Sequence, residues 1–171
     1  MDVSAIILSL YPSAIPLTDF VVSKPWNQPV QIVRWNAAKL GVQPTFAQLE
    51  AAWPAAQLQA AQTSQRALVK QSFTAAANAN VTDSAGNVWE GGMASGNSIF
   101  LACQLAQHAG ATCITLYDAA KNPHSMTIAE GMDVAALIGQ AYQVALGTKN
   151  SLNAQLAAAQ TVSGVQAITF S

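Results

Sequence analysis

The sequence contains very few charged residues. Seven Lys and Arg and eight Asp and Glu make up 9% of its 171 residues, and they leave a net charge of -1. Soluble domains typically carry roughly 25% charged residues. No basic run is present, so the clustered cations that bind a phosphate backbone are missing, and we expect no nucleic-acid partner. The surface must consist largely of Ala, Gln, Asn, Ser and Thr, which is common in proteins that pack into larger assemblies.

Cysteine is also scarce. Cys103 and Cys113 lie ten residues apart, without the further Cys and His ligands that a zinc site needs. We therefore expect two packed free thiols, no disulfide framework, no metal and no other cofactor. A chain of this length can bury a core without such cross-links.

Long apolar runs are missing as well. No stretch approaches the eighteen or so residues that span a bilayer, so no membrane partner is expected. The opening segment MDVSAIILSLYPSAIPL is apolar, but it carries Asp2, lacks basic residues and is interrupted by Pro12 and Pro16. It does not fit a signal peptide, and we expect a soluble protein made in a reducing cytoplasm.

Changes in composition along the sequence divide the chain into three parts. Residues 1–53 form a segment rich in proline and tryptophan, in which 20–23 and 30–35 are predicted strands. Asn36 opens a short turn that Gly41 ends, and Thr45 is a good N-cap for a helix to about Trp53. This part is predicted to be a small strand-and-helix unit.

Residues 54–80 are predicted to be a linker helix that starts at Pro54, where proline suits a first turn. Its weak stripe is built from residues three and four apart: Leu58, Ala61, Gln65, Leu68, Ser72 and Ala75. The polar members argue for an intramolecular helix over a coiled coil, whose seam needs stronger apolar residues.

Residues 81–171 are predicted to form an α+β domain. Residues 82–89 and 113–128 each indicate a hairpin, because turn-forming residues separate β-favouring ones. Ser95 or Asn97 can cap a helix between them, which Gly110 ends. Thr127 and Glu130 have the spacing of a capping box. The helix that follows is predicted to stop near Gly147, with a further helix at 150–159. The helix that starts at the capping box has an apolar stripe, which comprises Val134, Leu137, Ile138, Ala141, Tyr142 and Ala145.

The fold class is therefore α+β. We predict a small antiparallel sheet of short hairpins packed against several Ala-rich helices, preceded by the Pro/Trp-rich segment.

Candidate catalytic residues are few, and each has a structural interpretation. His108 lies near a helix end and His124 in a turn, and no motif places a nucleophile against either. Asp83 and Asp118 sit where a turn requires an Asx residue, and neither Glu90 nor Asp133 is locally paired. We assign no catalytic, cofactor-binding or metal-binding residues and expect no enzyme. Two acids about 5 to 10 Å apart in a cleft would instead favour glycan hydrolysis.

Two further features have a structural and a functional interpretation. Residues 91–97 (GGMASGN) lack the Lys and the Gly spacing of a phosphate-binding loop, and a flexible joint before a helix explains them better. The four tryptophans can either pack in the core or anchor an interface: Trp26, Trp35, Trp53 and Trp89. We expect mostly core positions, with Trp26 as the first candidate for exposure.

Two stretches resemble phage tail proteins. YPSAIPLTDF (11–20) and VQIVRWNAAKLGVQPTFAQLEAAW (30–53) resemble the opening of tail-fibre and tail-fibre-assembly proteins. The stretch from VTDSAGNVWEGGMAS to the end is similar to a domain of unknown function that occurs in tail-fibre gene clusters, through its Gly-x-x-Trp turn, its ITLYD strand and its MTIAE helix start.

This resemblance implies a non-enzymatic component of a phage virion, made in the host cytoplasm and located in the tail. Its implied partners are other tail or fibre proteins and copies of itself, with a trimer favoured because fibres are commonly trimeric. The chain lacks a β-repeat shaft and a receptor-binding tip. A short fibre, a baseplate or fibre-attachment piece, and an assembly chaperone absent from the virion therefore remain open, with a glycan-binding or glycan-hydrolysing module as a further alternative.

Overall fold

The structure is a computed structural model that describes residues 2–170, and it confirms the α+β class with 57% helix and 14% strand. The described strands pair as three separate two-stranded antiparallel sheets, whereas the sequence predicted one small sheet. In chain order the elements are α1 (Val3–Leu10), β1 (Phe20–Ser23), β2 (Gln31–Trp35), α2 (Ala37–Leu40), α3 (Phe46–Ala77), β3 (Val81–Thr82), β4 (Val88–Trp89), α4 (Met93–His108), β5 (Cys113–Tyr117), β6 (Pro123–Thr127), α5 (Ile128–Ala158) and α6 (Val162–Gln166).

The chain divides into two compact units. Unit 1 comprises Met1–Ser64 with Ala159–Ala167, and unit 2 comprises Gln65–Ala158 with Ile168–Ser171. The predicted division into 1–53, 54–80 and 81–171 follows composition and stays a prediction. The helix that it places at 54–80 forms part of α3.

Unit 1 begins with the helix α1, which was not predicted from the sequence. The Asp2 carboxylate accepts a hydrogen bond from the Ala5 amide at 3.1 Å, which satisfies an unpaired donor of the first turn of α1. Pro12 lies just beyond the helix end. The core of unit 1 consists of Val3, Ile6, Ile7, Ala14, Phe20, Leu40, Leu49 and Ala56.

The two strands predicted in unit 1 are confirmed as β1 and β2, and the structure adds that they pair with each other in an antiparallel arrangement. Beside it, the buried carboxylate of Asp19 accepts hydrogen bonds from the Ile15 amide at 2.7 Å and the Lys39 ammonium at 2.5 Å. The bond from Lys39, followed by that from Ile15, lowers the pKa of Asp19 below its usual value. The short turn predicted between Asn36 and Gly41 is the helix α2, which Asn36 caps and Gly41 ends.

One continuous helix, α3, replaces the two helices predicted on either side of Pro54. Thr45 and Gln48 form the capping pair at its start. Proline inside a helix costs roughly 3 kcal/mol through its lost hydrogen bond and its ring. Leu49 and Ala56 are both buried in the core of unit 1, on either side of this proline, and their burial offsets that cost.

The predicted stripe of this helix is wrong in its second half. Leu68 is 51% exposed, whereas the adjacent Val69 is 2% exposed. A shift of one residue turns a helical position by about 100°, so the buried face there runs through Val69, Phe73 and Ala76.

Unit 2 is built around Trp89, Leu116, Val134 and Ile138. Its helices α4 and α5 approach closely, because a Cβ added at Gly131 would lie 2.7 Å from the Cys103 sulfur. The predicted buried stripe of α5 is confirmed. The stop at Gly147 is wrong: glycine costs only about 1 kcal/mol within a helix, and Ala145 and Leu152 are buried on either side of it.

Two smaller predictions in unit 2 also need correction. Cys103 is buried, but Cys113 is exposed on the outward face of β5, whose inward positions are Ile114 and Leu116. Helix α4 begins at Met93 with Gly92 as its N-cap, so neither Ser95 nor Asn97 caps it.

Candidate interaction surface

Asp83 holds the turn between β3 and β4. Its carboxylate accepts hydrogen bonds from the amides of Ala85 and Asn87, both at 2.9 Å, and from the buried indole Nε1 of Trp89 at 2.9 Å. Burial raises the pKa of this carboxyl, but the hydrogen bonds from Asn87 and Trp89 outweigh it, and the pKa falls from 3.8 to about 2. The predicted turn role of Asp83 agrees with these contacts.

Asp118 holds the turn between β5 and β6 in the same way. It accepts from the Asn122 amide at 2.8 Å and lies 3.1 Å from Nε2 of His124. The hydrogen bonds from Asn122 and then from His124 lower the pKa of Asp118 from 3.8 to about 2. An ionised carboxylate only accepts, so Nε2 of His124 carries the proton in this pair.

The two turns contact each other. The Ala119 amide donates to the Val88 carbonyl at 2.8 Å, and the rings of Trp89 and His124 lie 5.3 Å apart between centroids. His124, a candidate base by residue type, therefore connects one turn to the other. His108 is exposed in the last turn of α4.

A cleft of about 500 Å³ beside these turns brings together Asp83, His124, Glu130 and Asp133. Glu130 accepts from the Thr127 amide at 2.7 Å and from its hydroxyl, which confirms the capping box and lowers the pKa of Glu130. A general acid in glycoside hydrolysis needs a raised pKa. Both cleft carboxyls with shifted pKa values are shifted downward, so their electrostatics do not support a general acid. The absence of enzymatic activity stays a prediction.

The glycine-rich segment packs against backbone. A Cβ at Gly91 would lie 1.9 Å from the Ala79 carbonyl oxygen, and Gly92 has a φ of +94°. Side chains are excluded at both positions, which supports a structural joint before α4 over a phosphate-binding loop. Across residues 2–170, no group of three or more His, Cys, Asp and Glu side chains could hold a metal ion. No helix in this range is long and apolar enough to cross a membrane.

Helix α4 exposes an apolar face that carries no charged side chain. Phe100 is 49%, Leu101 58% and Leu105 62% exposed. Leu101 and Leu105 are neighbours on this face because they lie four residues apart. The residues that face the protein interior are Ile99, Ala102, Cys103 and Ala106, of which Cys103 is buried and the other three are half-buried. We call the exposed residues Phe100, Leu101 and Leu105 the α4 face.

A groove of about 310 Å³ continues this surface toward α5. Apolar side chains, Asn97 and two glycines line it: Met93, Gly96, Asn97, Phe100, Met132, Ala135, Ala136 and Gly139. Sequence reasoning missed this surface. The available signal was the Phe100–Leu101 pair, two large apolar residues that lie off the buried stripe.

In unit 1, the tryptophan prediction is confirmed at Trp26. This side chain is 92% exposed in the loop between β1 and β2, whereas Trp89 of unit 2 is fully buried. Trp35 and Trp53 are half-buried against the core of unit 1. Trp26 is thus a second exposed aromatic anchor, of the residue type enriched in binding hot spots.

The comparisons with known proteins concern unit 1. Residues 3–61 match the XkdW protein family, which is phage-associated. No curated protein and no solved structure matches the chain. The matched segment is about a third of the chain, and it indicates a bacteriophage protein. The resemblance to tail-fibre proteins, and that of residues 81–171 to a domain of unknown function, stay predictions.

Proposed function

We propose that this chain is a structural protein of a phage tail, as a tail-fibre, baseplate or fibre-attachment component. It works by packing against copies of itself and against other tail or fibre proteins. The observation that carries the proposal is the α4 face, where three large apolar side chains are about half exposed on a helix without charged residues.

The energetics favour a protein partner on this face. Full burial of a Leu or Phe side chain contributes about 1.5–3 kcal/mol, so covering the exposed halves of the three contributes on the order of 3 kcal/mol per copy. Because Met93–His108 contains no Lys, Arg, Asp or Glu, burying the helix desolvates no formal charge. A homo-oligomer satisfies this, and the fibre resemblance favours a trimer located in the virion tail.

A tail-fibre assembly chaperone, absent from the mature virion, is the second candidate. The groove beside the α4 face favours it, since Met93 and Met132 line it together with Phe100. Methionine side chains adapt to irregular apolar partners, and apolar grooves accept the apolar face of an amphipathic helix from a partner chain.

Mass spectrometry of purified particles separates the two candidates. We expect this chain at a fixed stoichiometric ratio to the major tail protein. If the chain is present in the infected lysate and absent from particles, the virion role is refuted and the chaperone is favoured.

A matched pair of variants tests the surface itself. Leu101→Lys with Leu105→Lys should convert the oligomer to monomer in light-scattering chromatography, because two charges replace the apolar contact. Gln71→Lys with Gln155→Lys adds the same charge at exposed polar positions of α3 and α5, away from α4, and should leave the mass unchanged. An unchanged mass in the first variant, or a monomeric wild-type chain, would rule out self-association through this face.

A further inference from the structure

A second surface of unit 2 has the opposite character to the α4 face. A groove of about 400 Å³ between α3 and α5 is lined by Arg66, Lys70, Phe73, Thr74, Lys149 and Asn153. Three of the seven Lys and Arg residues of the chain thus line one groove that contains no acidic side chain. We call it the cationic groove.

Among the described residues, no ion pair neutralises the cations of this groove. The sequence has no Asp or Glu between Glu50 and Asp83 and none after Asp133. Within residues 2–170, the ion pairs join Lys39 to Asp19, Lys121 to Glu90 and His124 to Asp118, so they leave out all three groove cations. Two cations four residues apart on one helix, such as Arg66 and Lys70, repel each other, and an anion between them relieves this repulsion.

The groove also holds one of its cations in place. The ammonium of Lys149 lies 4.6 Å from the ring centroid of Phe73, whose ring in turn packs edge-on against Tyr142 at 5.9 Å between centroids. A cation over an aromatic face is attracted to it, so Lys149 is positioned at the groove without an acidic partner. The Arg66 guanidinium adds a planar set of donors that matches a carboxylate.

We infer that the cationic groove docks an acidic segment of a partner protein, whose Asp or Glu carboxylates pair with Arg66, Lys70 and Lys149. Charge complementarity is the basis for this choice. A nucleic acid fits less well, since three cations release few counterions. The ring of Phe73 is covered by Lys149 and offers less surface for stacking a base. This inference concerns a surface separate from the α4 face, so either proposal can fail without the other.

The test uses the full-length chain and a fluorescein-labelled peptide of ten glutamates, measured by fluorescence anisotropy at low and high salt. We expect binding that weakens as salt rises, and a loss of roughly tenfold or more for Lys70→Glu with Lys149→Glu. Lys24→Glu with Arg34→Glu changes the net charge equally at exposed positions of unit 1 and should bind like the wild type.

Two further variants test whether the loss is specific to the groove. Lys149→Gln, a neutral change that is milder for folding, should give a smaller loss, with circular dichroism showing an intact helix content. The α4-face variant Leu101→Lys with Leu105→Lys should keep the affinity. Equal losses in the groove variant and the unit 1 control, no binding by the wild type, or tighter binding of a single-stranded DNA through the same residues would each overturn the inference.

Discussion

The β3–β4 and β5–β6 turns of unit 2 share one hydrogen-bonding pattern, which is built from different residues in each turn. Each begins with an Asp whose carboxylate accepts from an Asn four residues on and from a ring nitrogen six residues on: Asp83, Asn87 and Trp89 in one, Asp118, Asn122 and His124 in the other. The turns differ in what that ring does. Trp89 is fully buried in the core, whereas the His124 side chain is 26% exposed.

The comparison teaches that a turn aspartate can have two roles in one fold. Asp83 satisfies the only donor of a buried indole, so it couples a surface turn to the core. Asp118 orients an imidazole at the edge of the same core. The pKa of each carboxyl is lowered to about 2, although burial opposes the shift most strongly at Asp83.

The largest expected effect comes from truncating the two rings. Trp89→Ala should lower the free energy of unfolding by about 3–5 kcal/mol through lost burial and a cavity, whereas His124→Ala should cost about 1 kcal/mol for one hydrogen bond. Urea denaturation followed by circular dichroism measures both. Equal losses would mean that the rings contribute equally, which contradicts the difference in burial.

Removing the aspartates comes next. Asp83→Ala should cost about 2–3 kcal/mol, because the buried Nε1 of Trp89 and two backbone amides lose their acceptor. Asp118→Ala should cost less, since water reaches the partly exposed His124. Thermal unfolding of both variants gives the order, and a larger loss for Asp118→Ala would invert the proposed hierarchy.

Acid should partly reproduce these losses. Both folded-state pKa values, about 2, lie below the ordinary value of 3.8, so the stability that these carboxylates contribute is fully present above pH 4. It is lost as the pH falls from about 4 to 2. The urea midpoint should drop across this range in the wild type and drop less in Asp83→Asn. A wild-type midpoint independent of pH there would contradict the turn role of these aspartates.

The smallest effect concerns the left-handed residue of each turn. Gly86 has a φ of +89° and Lys121 a φ of +68°. Gly86→Lys should cost about 1 kcal/mol from backbone strain alone, since a Cβ there meets nothing within 4 Å. Lys121→Gly should stay within about 0.5 kcal/mol of the wild type, because relieved strain offsets a more flexible unfolded chain. The exposed ion pair to Glu90, which this substitution also removes, contributes little. Chemical denaturation resolves the pair, and a stabilising Gly86→Lys would refute the strain argument.

Local chemistry made much of the fold predictable. The hairpins at 81–89 and 113–127, the turn that Asn36 opens, the cap at Thr45 and the Thr127–Glu130 box all follow from side chains acting within six residues. Predictions failed where long-range packing decided. Pro54 and Gly147 are ordinary stop signals, and both lie inside long helices whose buried residues continue past them.

The interaction surfaces were harder to predict than the turns. A single sequence shows apolar residues at 100, 101 and 105, but which of them face solvent depends on the packing of α4 against α5 through Gly131 and Cys103. The cationic groove is harder still, because Lys149 lies about eighty residues from Arg66 and Lys70 in the chain.

The sequence by itself determined the α+β class, the hairpins of unit 2 and the helix starts at Thr45 and at Thr127–Glu130, because each depends on backbone preferences and on partners a few residues apart. Only the tertiary structure decided how far α3 and α5 extend, which face of α4 stays exposed, and which cations meet. Those features depend on burial and charge shared between distant segments, and no local pattern encodes which segments come together.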